Sequence, residues 1–392
     1  MTMQLCPPEH CTGCGVCAAV CAQQCIAMRA DARGFLHPEI DADRCLGCGL
    51  CRDTCPVLHP SPVSEAPPKA FVARSQGSRE GSSSGGVFPI LAGAVIRRGG
   101  VVWGAAWEKD LRSVKHQPAD SEQALGALCG SKYLPSDCSR AYQQIRAQLE
   151  AGKTVYFSGT PCQAAGLRAV LGGGHPRLIV QSIVCHGVPA PAVWNACLDE
   201  AEGKGDALER VDFRYRPGPF HEEQAKLEYA SGAVRCTRKT ENPFFRGYIK
   251  NLYLRRACHA CPFKGEKDTA DLTLGDAWGA ERDPAAPNDG LGLSAVLLRT
   301  ERGTALWEAV SEQCVSAPWD LKALEHANPA LCAPSPVSEL SAPFWDRFSR
   351  EPFGRLIDEL CPRSGKERLK ALVPQPIKRL LKRNKLPAGG SK

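Results

Sequence analysis

Eight cysteines near the N-terminus fall into two near-copies of one pattern, and no other feature constrains the chain as strongly. The first copy, residues 11–21, reads C-x2-C-x2-C-x3-C, and the second, residues 45–55, repeats this spacing and is followed by Pro56. In this pattern three cysteines wrap a loop around one iron–sulfur cube, and the fourth reaches a neighbouring cube. The spacing therefore predicts two 4Fe-4S clusters.

The crossed arrangement, which resembles that of a bacterial two-cluster ferredoxin, assigns four cysteines to each cluster. One cluster takes Cys11, Cys14, Cys17 and Cys55, and the other takes Cys45, Cys48, Cys51 and Cys21. Ala22 stands where a proline usually follows the first run, but all eight ligands are present. Zinc sites use four ligands, commonly in C-x2-C pairs, so zinc and disulfides are the weaker alternatives for this tandem set.

The composition predicts a globular protein of a reducing compartment. A chain of 392 residues is long enough for two or three domains, and its hydrophobic content of 43% is ordinary. The 21 cysteines, an odd number, indicate metal ligands in the cytoplasm and not a secreted disulfide scaffold. We expect neither a secretion signal nor a membrane span, because no apolar stretch is long enough.

The positive net charge lies at the C-terminal end of the chain. Residues 363–392 carry ten Lys or Arg and one Glu, which leaves −2 of the total +7 for residues 1–362. Ile377, Leu380 and Leu381 have helical spacing, so this basic tail either rests on a membrane surface or an acidic partner, or is a solvated end. Nucleic-acid binding is not expected, because the body is not basic and the tail lacks aromatic residues.

Composition shifts divide the chain into a cysteine-rich module, a linker, a body and the tail. The predicted boundaries are 1–57 for the ferredoxin module, 58–70 for a Pro/Ser-rich linker, 71–150 and 151–335 for two parts of the body, and 363–392 for the tail. Strand and helix patterns alternate through the body, which predicts an α/β sheet and gives the whole chain an α+β or α/β fold class. Beyond about residue 334 the sequence reads as irregular.

Sequence periodicity predicts the elements of the body. Helices are expected over 85–98 (capped by Ser84), 141–149, 164–171 and 193–198, and strands over 101–107, 154–157, 178–184, 211–215, 271–274 and 294–298, with a hairpin over 226–236. Ligands of α/β sheets bind where strands end at their carboxyl edge. Unusual residues follow three of these strands, at 158–163, 185–189 and 274–279, and a Ser/Gly run at 82–86 precedes a helix. Each motif alone is most simply a turn.

Taken in order, these motifs resemble the coenzyme F420 hydrogenase/dehydrogenase beta-subunit family over about residues 71–298. The matching positions are Ser84-Gly85-Gly86, Ser131-Lys132-Tyr133, Gly159-Thr160-Pro161-Cys162-Gln163, Cys185-His186-Gly187-Val188-Pro189, Cys258-x2-Cys261 with Phe263, and Ala270-Asp271 with Gly275-Asp276-Ala277-Trp278-Gly279. The resemblance implies an iron–sulfur flavoprotein oxidoreductase with an α/β flavin-binding body. Electrons would pass between clusters and FAD, and between FAD and coenzyme F420 or another organic acceptor.

The resemblance also implies which residues lie near FAD. They are Ser84, Gly85, Gly86, Ser131, Lys132, Gly159, Thr160, Pro161, Gln163, His186, Gly187 and Asp276. His186 titrates near neutrality and is a candidate for proton transfer, although a structural role is the alternative. Lys132 is a candidate for neutralising reduced flavin or its phosphates. Asp276 either binds a ribose hydroxyl or caps a turn.

A third 4Fe-4S cluster is the remaining hypothesis about metals. Cys258 and Cys261 supply two ligands, and Cys162 and Cys185, each at a strand end, supply the other two; the alternative is a pair of buried cysteines. Cys129, Cys138 and Cys236 are reserve candidates, and Cys6, Cys25, Cys197, Cys314, Cys332 and Cys361 are interpreted as structural. Arg255, Arg256, Lys264 and Lys267 near this pair either attract an acidic substrate or form a solvated face.

The expected partners are a redox protein, either ferredoxin or a larger complex, and a small-molecule acceptor such as coenzyme F420. A different class of function stays open, in which the chain is a non-catalytic electron-transfer subunit of a larger redox complex. A radical SAM enzyme is not expected, because that chemistry needs C-x3-C-x2-C, which the chain lacks.

Overall fold

The computed structural model describes residues 5–63, 66–203, 205–219, 221–363 and 365. The predicted linker is therefore described except for residues 64 and 65. The predicted basic tail lies outside the described residues except for residues 363 and 365. No helix in the described part of the chain is both long and apolar enough to cross a bilayer.

The described residues form fourteen strands and twelve α-helices. The strands are β1 Ile26–Ala30, β2 Leu36–Ile40, β3 Lys69–Ser75, β4 Val101–Trp107, β5 Val114–Ala119, β6 Ser136–Asp137, β7 Val155–Gly159, β8 Leu178–Ile183, β9 Leu208–Tyr215, β10 Gln224–Tyr229, β11 Val234–Arg238, β12 Leu272–Asp276, β13 Ser294–Leu298 and β14 Cys314–Pro318. The helices are α1 Val16–Val20, α2 Leu50–Asp53, α3 Val87–Arg97, α4 Glu122–Leu125, α5 Ala141–Glu150, α6 Pro161–Val170, α7 Pro191–Glu202, α8 Pro243–Ile249, α9 Glu301–Glu308, α10 Leu321–Ala327, α11 Ser341–Phe348 and α12 Phe353–Leu360.

The N-terminal module has the internal symmetry that its cysteine runs predict. Helices α1 and α2 each follow a cysteine loop, and each begins after a glycine in the left-handed region, Gly15 at φ +82° and Gly49 at φ +81°. Gly13 and Gly47 adopt φ +69° and +67° at the matching earlier positions. Side chains with a Cβ rarely take this conformation, so the glycines let both loops curl in the same way. The antiparallel pair β1–β2 joins the two halves.

A nine-stranded mixed sheet forms the body, in the order β14-β3-β13-β12-β8-β7-β4-β5-β6. Its central strands β12, β8, β7 and β4 run parallel to one another. Strand β8 is covered on both faces, which is why its sequence reads as a nearly unbroken apolar run. The predicted α/β body is therefore confirmed, and the carboxyl ends of β7, β8 and β12 meet along one edge of the sheet.

A three-stranded antiparallel sheet, β11-β10-β9, includes the hairpin predicted around Ser231-Gly232. Strand β9 contributes Phe213 to an aromatic cluster that includes Trp107, Trp194, Phe244 and Phe245. The rings in contact with Phe213 lie with centroids 5.1–6.0 Å from it, the spacing of favourable aromatic pairs. This cluster packs α7 and α8 against the body.

The start of helix α3 differs from its prediction. The helix begins at Val87 and not at Gly85, and its N-cap is Gly86 at φ +78° with no side-chain cap. The hydroxyl of Ser84 instead donates a hydrogen bond to the Leu293 carbonyl at 2.6 Å. A Cβ on Gly85 would lie 2.3 Å from the Ala73 carbonyl oxygen, so residues 84–86 form a tight turn against β3 and β13.

The stretch beyond residue 334 is not irregular, as the sequence pattern indicated, but contains helices α11 and α12. Phe344, Phe353, Leu356 and Ile357 are buried against the aromatic cluster, and this packing supplies the stability that local propensity lacks. The helical pattern was not recognised in the sequence because prolines, which usually interrupt helices, stand at the beginning of both α11 and α12. At that position proline does not disrupt the backbone hydrogen bonds.

Helix α9 packs so closely on the start of β12 that only glycine fits at position 303. A Cβ there would lie 2.2 Å from the Asp271 carbonyl oxygen. We expect Gly303→Ala to lower the free energy of unfolding by about 1–3 kcal/mol, because the backbone must move apart. Gly126→Ala is the matched control, since Gly126 has φ −53° and open space around it. Urea denaturation measures both, and equal stability of the two variants would contradict the packing argument.

Candidate functional site

The four cysteines proposed for a third cluster come together at the carboxyl edge of the sheet. Cys162 lies in the first turn of α6, and Cys185 follows β8 by two residues. Cys258 and Cys261 lie on the short turn after Leu254. All four line one cavity of about 420 Å³. The structure therefore brings together residues that are separated by up to 99 positions in the sequence.

Burial disfavours the ionised form of all four thiols. It raises the pKa of Cys162 and of Cys258 to about 11, and it raises the pKa of Cys185 and Cys261 as well. The cysteines also act on one another: the charge of Cys258 raises the pKa of Cys185, and that of Cys261 raises the pKa of Cys162. Thiols in such a setting become thiolates when a metal centre supplies the compensating positive charge.

Two buried cations flank the four cysteines. Arg255 is 3% exposed and Lys264 is 7% exposed, and both line the cavity. Lys264 donates a hydrogen bond to the Ala333 carbonyl at 3.0 Å. Within the described residues neither cation forms an ion pair with a carboxylate, and the hydrogen bonds of the Arg255 guanidinium go to the Cys11 and Leu36 carbonyls. Buried charges are normally paired, so this site favours an anionic group such as a cluster with four thiolates. Of the two alternatives left open for these cations, the solvated face does not apply to Arg255 and Lys264, which are buried, while Arg256 and Lys267 are exposed.

The N-terminal cysteines lie close enough for their charges to act on one another, both within and between the two predicted sets, since Cys51 also raises the pKa of Cys17. Their division into two crossed sets stays a prediction. The charges of Cys11 and Cys55 raise the pKa of Cys17 after the larger effect of burial. Burial also raises the pKa of Cys51, and the charges of Cys21 and Cys48 add to this. Across the described residues, no three His, Cys, Asp or Glu side chains converge on a single ion. The four thiolates of an iron–sulfur cube lie farther apart, one on each iron.

Two cysteines interpreted as structural lie beside the predicted ligands. The Sγ atom of Cys25 is 3.4 Å from that of Cys21. Burial, the charge of Cys55 and the charge of Cys11 together raise the pKa of Cys6 to about 12. Neither position was recognisable from the ligand spacing, because both cysteines lie outside the repeated pattern.

The first cysteine set faces the body and the second faces solvent. Cys14 and Gly13 line the same cavity as Cys162. No cysteine of the second set lines that cavity; Cys48 is exposed, and Leu46 near it is 74% exposed. The set of Cys11, Cys14, Cys17 and Cys55 is therefore the inner set, and that of Cys45, Cys48, Cys51 and Cys21 the outer set.

The residues expected near FAD fall into two groups along the sheet edge. Thr160, Pro161, Gln163 and Gly187 line the cavity beside the cysteines, and Gly159 ends β7 just before them. The Gln163 side chain accepts a hydrogen bond from the Thr160 amide at 2.9 Å, which fixes the first turn of α6.

The second group lies at the start of α3. The hydroxyl of Ser131 donates a hydrogen bond to that of Ser83 at 2.8 Å, next to Ser84, Gly85 and Gly86. The Lys132 ammonium donates to the carbonyls of Ala127 and Cys129, both at 2.8 Å. Burial lowers the pKa of Lys132 to about 8, so this amine exchanges protons near neutral pH.

Asp276 is engaged by a side chain that the sequence did not indicate. Arg214 donates two hydrogen bonds to the Asp276 carboxylate, at 2.6 and 2.9 Å, and a third to Glu223 at 2.6 Å. Burial acts to raise the pKa of Asp276, but the charge of Arg214 and the hydrogen bonds from Arg214 and Ser84 together outweigh it, so the pKa is lowered. Arg214 occupies an inward position of β9, where no sequence motif marks it.

His186 lies beside the cavity but is held by protein contacts. Its Nε2 is 2.6 Å from Oδ1 of Asn251, whose amide nitrogen donates to the Pro336 carbonyl at 3.0 Å. The ring also meets the edge of Tyr248 with centroids 5.1 Å apart. Burial lowers the pKa of His186, so the ring is neutral at pH 7.

A buried histidine–cysteine pair behind the cavity was not anticipated. Nε2 of His116 donates a hydrogen bond to the Ser158 carbonyl at 2.9 Å, so Nδ1 carries the lone pair. Nδ1 contacts the hydroxyl of Ser136 and lies 3.0 Å from Sγ of Cys138. The ring stacks on Phe157 with centroids 5.0 Å apart. No sequence signal joins residues 116, 136 and 138 to the strand end at 158.

We expect His116 to make the protein less stable as the pH falls. Burial lowers its pKa to about 4, so between pH 6.5 and 4 the unfolded chain binds a proton that the folded chain does not. Stability is then complete above pH 6.5, and about 2 kcal/mol is lost between pH 7 and pH 5. Urea denaturation at these two pH values measures the loss. His116→Asn should reduce it, whereas replacing the exposed His326 should not; a profile unchanged in His116→Asn contradicts the assignment.

Comparison with known proteins identifies two segments of the chain. Residues 10–58 match the family described as 4Fe-4S dicluster domain, and residues 152–318 match the family described as the C terminus of the coenzyme F420 hydrogenase/dehydrogenase beta subunit. No curated protein matches the chain significantly. One similar solved chain comes from the F420-reducing NiFe hydrogenase complex of Methanosarcina barkeri; identity is 16% over 78% of this chain and 92% of that chain, with a TM-score of 0.45. The match over residues 10–58 confirms the predicted 4Fe-4S module, and the match over residues 152–318 supports the predicted family resemblance in that part of the chain.

Proposed function

We propose that this chain, whose residues 152–318 belong to the coenzyme F420 hydrogenase/dehydrogenase beta-subunit family and follow a 4Fe-4S dicluster domain, is an iron–sulfur flavoprotein oxidoreductase. It passes electrons between 4Fe-4S clusters and FAD, and between FAD and coenzyme F420 or another organic acceptor. The observation that carries the proposal is the cavity in which four cysteines and two buried cations meet Cys14 of the inner set.

Cys162, Cys185, Cys258 and Cys261 are the proposed ligands of a third 4Fe-4S cluster. Their number and sulfur chemistry suit such a cluster, and Arg255 and Lys264 provide charges of the opposite sign. A cluster carries one electron at a time between a partner protein and a cofactor. With Cys14 on the same cavity wall, the proposed third site and the inner set are direct neighbours.

FAD is proposed to span the two groups along the sheet edge. Thr160, Pro161, Gln163 and Gly187 would contact it near the cysteines, and Ser84, Gly86, Ser131 and Lys132 would hold its phosphates. Lys132 supports this role, because it has no carboxylate partner among the residues that the structure describes. When bound, FAD exchanges electron pairs with organic substrates and single electrons with clusters.

His186 is the proposed proton-carrying residue, and Lys132 is proposed to neutralise reduced flavin or its phosphates. Although burial lowers the pKa of Lys132 to about 8, the amine is mostly protonated at pH 7 and carries the charge that this role needs. His186 is neutral, and its ring is oriented by Asn251. Asp276 is proposed to support the site through Arg214, which it holds in place.

The outer set of the dicluster domain is proposed to face a redox partner, either a ferredoxin or a larger complex. All 21 cysteines are unpaired thiols, which supports a reducing compartment such as the cytoplasm. The second candidate function is a non-catalytic electron-transfer subunit, and the match of residues 10–58 to a dicluster domain supports it equally.

Anaerobic purification followed by iron and flavin analysis distinguishes the two functions. The proposed oxidoreductase should contain about twelve iron atoms and one FAD per chain. Its visible spectrum should bleach with one of reduced coenzyme F420, NADH, NADPH or reduced ferredoxin, which also identifies the partner. Protein that retains iron but no flavin, even after incubation with FAD, would show that the chain is the non-catalytic subunit.

A further inference from the structure

Arg255 extends from the body into the dicluster domain. Its Nε donates a hydrogen bond to the Cys11 carbonyl at 2.6 Å, and its Nη2 donates to the Leu36 carbonyl at 2.8 Å. Nη2 also lies 3.8 Å from Sγ of Cys11, an inner-set ligand. The fit is close, because a Cβ on Gly13 would lie 2.7 Å from Nη1 of the same guanidinium.

The other side of Arg255 faces the proposed third site. Arg255 lines the cavity together with Cys162 and Cys258, and the residue is 3% exposed. Its backbone amide donates to the Val188 carbonyl at 2.9 Å, which ties it to the loop after Cys185. One buried positive charge thus lies between two sets of cluster ligands.

The described surroundings of Arg255 provide carbonyl groups and the ring of Phe35, whose centroid is 5.2 Å from the guanidinium carbon, but no anionic partner for this charge. The nearest titratable partner is His37, whose ring nitrogens are 3.4 and 3.5 Å from Nη2. Burial and the charge of Arg255 lower the pKa of His37, so the ring is neutral. The Asp31 carboxylate lies 3.4 Å from Nε2 of His37 and so reaches Arg255 only through that ring. Within the described residues no carboxylate is within 4 Å of the guanidinium.

We propose that Arg255 is a positioning residue that holds the dicluster domain against the body between the inner cluster and the third cluster. We further propose that its positive charge raises the reduction potentials of both clusters. This inference rests on the proposed third cluster. Reduction adds one electron to a cluster, and a nearby positive charge stabilises the added negative charge. The effect is strong inside a protein because solvent screens it little. The outer set, none of whose cysteines lines the cavity or contacts Arg255, receives little of it.

Lys264 provides a contrast within the same site. It is 7% exposed and lines the cavity together with Cys185, Cys258 and Cys261. It makes no hydrogen bond to the dicluster domain in the described structure. Removing its charge should therefore affect one cluster, whereas removing that of Arg255 should affect two.

A redox titration of the anaerobically purified holoprotein, followed by electron paramagnetic resonance, tests the inference. In Arg255→Gln the potentials of the inner and third clusters should shift to more negative values, and that of the outer cluster should not. Lys264→Gln should shift only the third. Arg256→Gln, which changes the exposed neighbour, should reproduce the wild-type titration. Equal shifts of all three clusters in Arg255→Gln, or no shift, overturn the role of Arg255.

If Arg255→Gln loses its iron, the variant Arg255→Lys provides a second test, because lysine retains the positive charge. Wild-type potentials in Arg255→Lys support the role of the charge, and negative shifts of the inner and third clusters despite the retained charge overturn it. The iron content of the wild-type protein tests the existence of the third cluster independently of the role of Arg255. Wild-type protein with about eight iron atoms would overturn that cluster, whereas about twelve atoms with unshifted potentials in Arg255→Gln would overturn only the inference about Arg255.

Discussion

Replacing Cys258 and Cys261 together by serine is expected to remove about four of about twelve iron atoms per chain. Both side chains line the cavity with Cys162 and Cys185, and serine provides no soft thiolate for iron. The eight cysteines of the dicluster domain are untouched, so its signals in electron paramagnetic resonance should persist. Iron analysis and these spectra of the same sample measure the effect.

The matched control for this double variant is Cys236→Ser. Cys236 is exposed on β11, away from the cavity, and should be replaceable without loss of iron. A double variant that keeps about twelve iron atoms would show that the cavity cysteines hold no cluster. Zinc in place of the missing iron in wild-type protein would show that the same four thiols form a structural zinc site.

Asp276→Ala is expected to lower the free energy of unfolding by about 3–5 kcal/mol. The substitution leaves Arg214 buried with only Glu223 to balance its charge, and it removes two short hydrogen bonds. Urea denaturation at pH 7 measures the change. The exposed pair Arg97–Glu122 is the control, since Glu122→Ala should cost no more than about 1 kcal/mol.

The contribution of Asp276 also has a pH signature. Its folded-state pKa is below the ordinary value of 3.8, so the unfolded chain takes up the proton first as the pH falls. The stabilisation is complete above about pH 4 and disappears as the pH falls through the lowered pKa. If Asp276→Ala is as stable as wild type but binds FAD weakly, Asp276 is a flavin ligand and not a structural partner of Arg214.

Local patterns predicted most of the central fold. The apolar run at 178–184 became the buried parallel strand β8, and the strands at 101–107 and 294–298 have the predicted bounds. These segments were predictable because a strand that is buried on both faces has a nearly continuous run of apolar residues. The convergence of Cys162 and Cys185 followed from the rule that parallel strands end at one edge.

Long-range polar contacts were not predictable in this way. The pair Arg214–Asp276 joins residues that are 62 positions apart, and neither strand carries a pattern that indicates the other. The contact of His116 with the Ser158 carbonyl depends on the order of strands in the sheet, which periodicity does not reveal. The helix cap assigned to Ser84 was wrong because a close backbone approach at Gly85 outweighed the local capping preference.

The two halves of the N-terminal module share a pattern but not their surroundings. Val16, which precedes Cys17 in the first run, is packed against the body and only 1% exposed. Leu50, which precedes Cys51 at the matching position of the second run, is 47% exposed. A Cβ on Gly47 would meet nothing within 4 Å. Dissolved oxygen therefore reaches one half far more readily than the other. In air we expect oxidation to begin at Cys48 and to spare the half of the module that the body covers. Brief exposure to air should therefore yield a protein that has lost only its outer cluster.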